Sequence, residues 1–205
     1  MTEILEAIKK AREVSKKRNF EQTFDLIVNL KGIDTRKPEN RINEIVELPY
    51  GIGRNIKIVV FSDEIKDLED SEIINSKEID EIAKNKRLAK KLAKSTDFFI
   101  ADPKLMTIVA KSIGKFLAPR GKTPKPIVGD VKKMIESLKK SVRIRIKDAP
   151  VIQCAVGTES MKDEEIEANI IKILKFLEEK LPKGKANIKN VIIKLTMGEP
   201  AKVVI

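Results

Sequence analysis

Residues 97–126, DFFIADPKLMTIVAKSIGKFLAPRGKTPKP, hold one complete strand-to-helix unit, and the way it ends organises the rest of the chain. DFFIA reads as a short strand. Asp102 stands where it can N-cap a helix, with Pro103 at the first helical position. Met106, Val109, Ile113 and Phe116/Leu117 then recur at helical spacing. Pro119 forbids further helix, and Pro124 and Pro126 stiffen the backbone beyond it. Between the prolines, Arg120, Gly121, Lys122 and Lys125 place positive charge on a rigid loop that no hydrophobic core requires.

The same alternation continues on both sides. Upstream, KIVVFS (57–62) reads as a buried strand, residues 63–70 as a short helix, EII (72–74) as a short strand and residues 77–94 as a basic helix. Downstream, Val131–Leu138 reads as a helix and SVRIRIK (141–147) as a closing strand. Strands alternating with helices predict a parallel, doubly wound sheet.

The two ends have a different style. Residues 4–18 read as a helix with Ile4, Leu5, Ile8, Ala11 and Val14 on one face, and Lys9, Lys10, Arg12, Lys16, Lys17 and Arg18 elsewhere. In TFDLIVNLK (23–31), Phe24, Leu26, Val28 and Leu30 point one way, and Thr23, Asp25, Ile27 and Asn29 the other. EIVELP is a second strand ending at the turn YGIGRN. VIQCAV is a strand, and Ser160-Met161-Lys162-Asp163 a capping box. It opens a helix through Ile166, Ile170, Leu174 and Leu177 that stops near Pro182-Lys183-Gly184. VIIKLTMGEPAKVVI closes as strand, turn and strand. The expected fold class is therefore α/β in two domains. Residues 1–55 and 150–205 form a split α+β domain, and residues 56–149 an inserted Rossmann-like three-layer α/β domain. The hinge is expected near Gly53-Arg54-Asn55 and Asp148-Ala149-Pro150.

Among 205 residues, 42 Lys/Arg stand against 31 Asp/Glu, a net charge of +11, which favours a polyanionic partner over none. Residues 56–149 hold 22 of those cations and 14 of the acids, so most of the excess falls in the expected insert. Abundant Lys, Glu and Ile lean toward a thermophilic composition. With no His and a single cysteine, triads, His-bearing metal sites, cysteine zinc clusters and internal disulfides are all excluded. Cys154, inside VIQCAV, reads as a small strand residue rather than a nucleophile. No metal, cofactor or catalytic group is expected. No run is apolar enough to span a membrane, and MTEILEAIKK lacks the layout of a secretory signal. A cytoplasmic protein that does not engage membranes, monomeric when free, is expected.

Two glycine motifs invite a nucleotide-binding reading and fail it. Gly51-Ile52-Gly53 has Ile56 where a dinucleotide fingerprint needs its third glycine, and it precedes a strand instead of following one. Gly121-Lys122-Thr123 resembles the end of a phosphate loop, but Phe116 stands where the first glycine should be, in a helix. The run Lys84–Lys94 is either a solvated helix face or a non-specific RNA phosphate contact.

The ends carry the more informative residues. In RNFEQTFD (18–25), Phe20 is either a core staple or an exposed ring for a ribose or base, while Thr23 and Asp25 lie on the non-core strand face. There they are either solvated or acceptors for 2′-hydroxyls and base amines in the shallow groove of A-form RNA. A carboxylate is repelled by phosphates, so Asp25 suits sugar or base edges only. In KLTMGEP (194–200), Lys194 and Thr196 share a strand face, Met197 offers an adaptable apolar contact, and Gly198 permits close approach or positive φ. A plain hairpin turn is the alternative.

Taken together, these motifs resemble the large-subunit ribosomal protein L-one family. The matches are M-x-x-V-x-K-x-x-x-x-L-x-P-R-G-x-x-P-x-P from Met106, Leu48-Pro49-x-Gly51, the F-x-x-T-x-[ED] segment at Phe20, Thr23 and Asp25, the loop Gly157-Thr158, and the triad Thr196-Met197-Gly198. Gln153, where bacterial members commonly have His, suggests an archaeal type; Asn19, where Lys commonly precedes the Phe, leaves out one phosphate contact. The resemblance implies two domains, the second inserted in the first. It also implies an RNA face made of Arg18, Phe20, Thr23, Asp25, Gly157, Thr158, Lys194, Thr196, Met197 and Gly198, with secondary contacts from Arg120, Lys122 and Lys125. The implied partners are the rRNA stalk of the large ribosomal subunit, exit-site tRNA and the protein's own mRNA, which it would repress. Competing expectations are an α/β nucleotide-binding enzyme and a non-specific basic RNA scaffold.

Overall fold

The computed structural model describes residues 3–37, 40–65, 68, 71–146 and 148–203. In chain order the elements are α1 (Glu3–Val14), β1 (Thr23–Leu30), β2 (Asn43–Glu47), β3 (Ile58–Phe61), β4 (Glu72–Ile74), α2 (Ser76–Lys84), α3 (Lys86–Ser95), β5 (Phe98–Ala101) and α4 (Pro103–Ser112). They continue with α5 (Gly114–Leu117), β6 (Lys125–Pro126), α6 (Val131–Lys139), β7 (Ser141–Arg145), β8 (Val151–Thr158), α7 (Asp163–Lys180), β9 (Ile188–Leu195) and β10 (Ala201–Val203). The fold is mixed α/β. The chain divides into two compact units, one of residues 1–54 with 140–205 and the other of residues 55–139.

In the first unit an antiparallel sheet runs β10-β9-β1-β8. The alternation of β1 behaves as its sequence dictates: Phe24, Leu26, Val28 and Leu30 are buried, and the residues between them are half-exposed. The buried face meets α1 and α7, whose apolar positions Ile8, Ala11, Ile166, Ile170, Ile173 and Leu177 are closed to solvent. Burying each large aliphatic side chain in such a layer contributes about 1.5–3 kcal/mol. A separate ribbon pairs β2 with β7 antiparallel. This moves Ser141–Arg145 out of the insert with which its sequence groups it, because its partner is β2. The chain thus leaves the second unit at Lys139/Lys140 rather than near Asp148-Ala149-Pro150. Reassigning residues 140–149 leaves the second unit with 18 Lys/Arg against 13 Asp/Glu, so the excess of charge no longer lies mainly there.

The second unit holds a parallel sheet ordered β4-β3-β5-β6. Val59, Phe61, Phe99 and Ala101 project into a core with Ile79, Ala89, Ala93, Leu105, Val109, Ile113 and Leu117. Phe61 and Phe99 stack with ring centroids 5.8 Å apart. Ile58, Val60, Phe98 and Ile100 on the opposite sheet face are also buried. Such two-sided burial explains why these strands read as continuous apolar runs.

Several local details differ from the sequence pattern. The single basic helix over 77–94 is two helices, because Asn85 leaves the helical region (φ −102°, ψ 96°) and its side chain accepts from the N–H groups of Arg87 and Leu88. Asp102 occupies the N-cap position of α4 but its side chain makes no capping bond. The helix after it breaks at Ile113 and continues as α5 and a 3-10 turn, Ala118–Arg120. Gly121 then takes a left-handed φ of 69°, and Lys125–Pro126 is an edge strand on β5, where proline is tolerated. Helix α1 ends at Val14, short of residue 18. The expected helix over 63–70 is irregular at residues 63–65 and 68; residues 66, 67, 69 and 70 lie outside the described residues. At α7 the residue in the N-cap position is Lys162, whose N–H is satisfied by Glu165 Oε2 at 3.2 Å; Ser160 is engaged elsewhere.

The Lys122 ammonium donates to the carbonyls of Ala93 (3.1 Å) and Thr96, capping the negative end of α3. Lys122→Met should therefore lower unfolding stability by about 1–2 kcal/mol, read from chemical denaturation midpoints, because two buried-end carbonyls lose a charged donor.

Candidate nucleic-acid interface

Strand β1 is central in its sheet, and the expected ligand residues converge at its N-terminal end. Thr23 lies opposite Thr158 of β8, while Phe24 and Asp25 lie opposite Leu195 and Lys194 of β9. The pairing with β8 slips between Phe24 and Asp25, so Val156 is the extra residue of a bulge. Such a bulge sharpens the local twist and re-aims the side chains beside it.

Past β9 the chain turns, with Gly198 N–H on Leu195 carbonyl at 2.9 Å. The turn is tied to β1. Thr196 N–H donates to Thr23 carbonyl at 3.0 Å. The Thr196 hydroxyl donates to that same carbonyl at 3.2 Å and accepts from Thr23 N–H at 3.2 Å. Gly198 is needed for its size and not for positive φ: a Cβ there would lie 3.1 Å from Leu195 Cβ and 3.3 Å from Ser15 Oγ. The result is a ledge on which Phe20 is 53% exposed and Met197 59% exposed, so Phe20 is not a core staple. The hydroxyl of Thr23 makes no hydrogen bond among the described residues. Arg18 is exposed, and Lys194 is half-buried beside Asp25. Burial lifts the Asp25 carboxyl above its usual range, and Lys194 partly opposes that.

Gln22 is fully buried directly behind this ledge. Its Oε1 accepts from Met197 N–H at 3.2 Å, and its Nε2 donates to Ser15 Oγ at 3.2 Å and to Lys16 carbonyl at 3.5 Å. Its main chain exchanges bonds with Glu159, carbonyl to N–H at 2.9 Å and N–H to Oε2 at 3.4 Å. One side chain thus joins the end of α1, the Thr-Met-Gly turn and the loop before α7. That loop is held further by Arg12, which donates to Asp163 Oδ1 at 2.8 Å and to the carbonyls of Glu159 (2.6 Å) and Met161 (2.7 Å) while covering the Phe24 ring. Ser160 donates to Glu21 Oε1 at 2.5 Å, a bond that, with Thr158, holds the Glu21 carboxyl below its usual range.

Gly157 and Thr158 support the ledge from inside. Thr158 is 3% exposed, with its hydroxyl 2.9 Å from Ser160 Oγ. A Cβ at Gly157 would sit 2.9 Å from Ile166 Cγ1. The neighbouring Cys154 is buried, and its thiol is pushed up to about 12 by burial and by Asp25, so it stays protonated and inert. Among the described residues no acidic or cysteine cluster could hold a metal, and no helix is long and apolar enough to cross a membrane. Arg120, Lys122 and Lys125 belong to the other unit. Arg120 donates to Phe116 carbonyl at 3.0 Å and Lys122 caps α3, so both cations already have structural work.

A family model described as the Ribosomal protein L1p/L10e family matches residues 8–199, a span that includes every residue of the ledge. The chain belongs to this family. It is 46% identical over 98% of its length to the large ribosomal subunit protein uL1 of Methanocaldococcus jannaschii, covering 94% of that protein. It is 43% identical to the protein of the same name from Methanobrevibacter smithii, with 98% and 99% of the two chains covered. For its counterpart in Pyrococcus abyssi the figures are 44%, 98% and 94%. These are archaeal relatives, in keeping with Gln153. A ribosomal-protein family is not an enzyme family, which removes the α/β enzyme reading. Gly53 is closely packed, since a Cβ there would meet Met161 Sδ and Thr158 Oγ1 at 2.7 Å each.

Sequence reasoning passes over the structural roles of Gln22, Arg12 and Asn169. Asn169 is buried, donates to the carbonyls of Gly51 (2.7 Å) and Val156 (2.9 Å), accepts from Tyr50 N–H at 3.2 Å, and so pins the Leu48-Pro49-x-Gly51 turn. A polar residue on the apolar stripe Ile166, Ile170 and Ile173 is the signal that marks it.

Gln22→Ala should cost about 1–3 kcal/mol in denaturant melts by orphaning buried groups, and should also weaken RNA binding by loosening the Met197 turn. Asp25 gives a separable outcome. Its raised folded-state pKa means that stability falls as pH rises from the ordinary carboxylate value through the raised one. Asp25→Asn should flatten that part of the stability profile and be no less stable at neutral pH, yet bind RNA more weakly.

Proposed function

We propose that this protein is a structural constituent of the large ribosomal subunit that binds the stalk rRNA near the tRNA exit site. There it assists release of deacylated tRNA, and it represses translation of its own mRNA by binding a similar RNA hairpin. The observation that carries this reading is the ledge: an exposed aromatic ring and thioether flank a free hydroxyl and a carboxylate, all held on bonded backbone. A-form RNA offers 2′-hydroxyls and base edges in a wide, shallow groove, and unpaired bases offer faces for stacking. Thr23 and Asp25 supply acceptors for the former, and Phe20 and Met197 apolar contact for the latter. Because the turn and β1 are bonded before any ligand arrives, little ordering entropy is spent on binding. Phosphate contact is left to Arg18 and Lys194.

Filter-binding titrations against a stalk rRNA fragment and a scrambled duplex of equal length, at low and high salt, test the assignment. Tight, salt-tolerant preference for the stalk fragment is expected. Equal affinities that collapse together with salt would indicate a non-specific basic scaffold and overturn it. Within the same assay Phe20→Ala and Thr196→Ala should each weaken stalk binding about 10- to 100-fold, equivalent to roughly 1–3 kcal/mol. Lys122→Ala should weaken it far less.

A further inference from the structure

Helix α3, KRLAKKLAKS, carries five cations and no acid. The second unit as a whole holds 18 Lys/Arg against 13 Asp/Glu, so its entire net charge of +5 equals that of this one helix and the remainder is balanced. Ala89 and Ala93 face the core, and Arg87, Lys90, Lys91 and Lys94 are exposed. At 3.6 residues per turn these four fall within about 100° of arc and about 10 Å of helix axis. The arrangement breaks local rules. Arg87/Lys91 and Lys90/Lys94 are like charges one turn apart, which repel. Arg87 also sits in the first turn, against the helix dipole. Among the described residues none of the four has an ion-pair partner to offset this. A rule broken without internal compensation marks a place where an external partner supplies it.

We propose that the exposed face of α3 is a second RNA-binding surface, which engages the phosphate backbone of an RNA strand without reading its sequence. The inference rests on the RNA-binding role proposed above and relocates the second unit's contact, because Lys122 and Arg120 of the proline loop are bonded to their own backbone. A strip of unpaired cations on a rigid helix complements a phosphate chain. A lipid surface fits less well, since α3 offers only Leu88 as an exposed apolar residue and an interfacial helix needs a whole apolar face. Asn85 at its start and Lys122 at its end fix the helix, so the strip is preformed.

The test uses the full chain with Arg87, Lys90, Lys91 and Lys94 all replaced by Gln. A control replaces Lys10, Lys172, Lys175 and Lys183, exposed in the first unit. Both are titrated with the scrambled duplex and the stalk fragment across a salt series. Each phosphate contact removed lowers the slope of log affinity against log salt by roughly 0.7–0.9. The α3 variant should lose about 3 from the slope and on the order of 10-fold or more in low-salt affinity for both RNAs, while the control changes less than about 3-fold. The ratio of stalk to scrambled affinity should survive, because the ledge is untouched; loss of that ratio in the unsubstituted protein would count against the ledge instead. An unchanged slope, or equal losses in the control, overturns the proposal. So does a stronger effect on binding to phosphatidylglycerol vesicles or polyglutamate than to RNA. The variant's thermal midpoint should hold or rise as repulsion is relieved; a collapse would mean the cations brace the fold and would also overturn it.

Discussion

The first unit depends on strand β1 lying between β8 and β9, so that a segment from the start of the chain is hydrogen-bonded on both edges by segments from its far end. Apart from the local β9–β10 pair, that sheet cannot close before the distant strands meet, which makes its contacts non-local and its formation slow relative to helical units. The same pairing creates the ledge. Thr196 can bond the backbone of Thr23 only because Phe24 is in register with Leu195. The ledge is therefore a by-product of sheet closure, held by the hydrogen bonds of the sheet.

Polar groups inside the first unit do the work that a larger core would otherwise do. Gln22, Asn169 and Arg12 each satisfy several backbone groups in loops that have few apolar contacts of their own. Buried networks of this kind are valuable only when every member is bonded, since an orphaned group costs about as much as several hydrogen bonds contribute. Asp25 is the exception that points outward. Its burial penalises the charged form, which Lys194 offsets only in part.

Charge divides the labour differently. In the first unit the ledge is shaped by hydroxyls, an aromatic ring and a thioether. In the second unit the net charge resides on α3, where it has no structural partner among the described residues. Lys122, by contrast, is a cation that the fold consumes: what the sequence presents as a free basic loop is a helix cap.

The alternation of Phe24, Leu26, Val28 and Leu30 and the apolar patterns of β3, β5 and α4 were legible because each is local; the helix from Pro103 broke earlier than Pro119, at Ile113, and Pro119 lies inside a 3-10 turn. The residues of the ledge were singled out by the family resemblance, since on their own Phe20 read equally as a core staple and KLTMGEP as a plain hairpin turn. What tertiary structure alone decided is who bonds whom. Ser141–Arg145 joins β2 because that partner's edge was available to it, and nothing in its own residues specifies that edge. The run 77–94 breaks at Asn85 because that one residue serves both neighbouring helices, its backbone N–H closing α2 and its side chain capping the start of α3. Lys122 turns inward because the carbonyls of Ala93 and Thr96, remote in sequence, accept from it there. Periodicity reports which face of an element is buried; it carries no information about the distant polar atom that a given donor will find, and that pairing is settled only when the sheet closes.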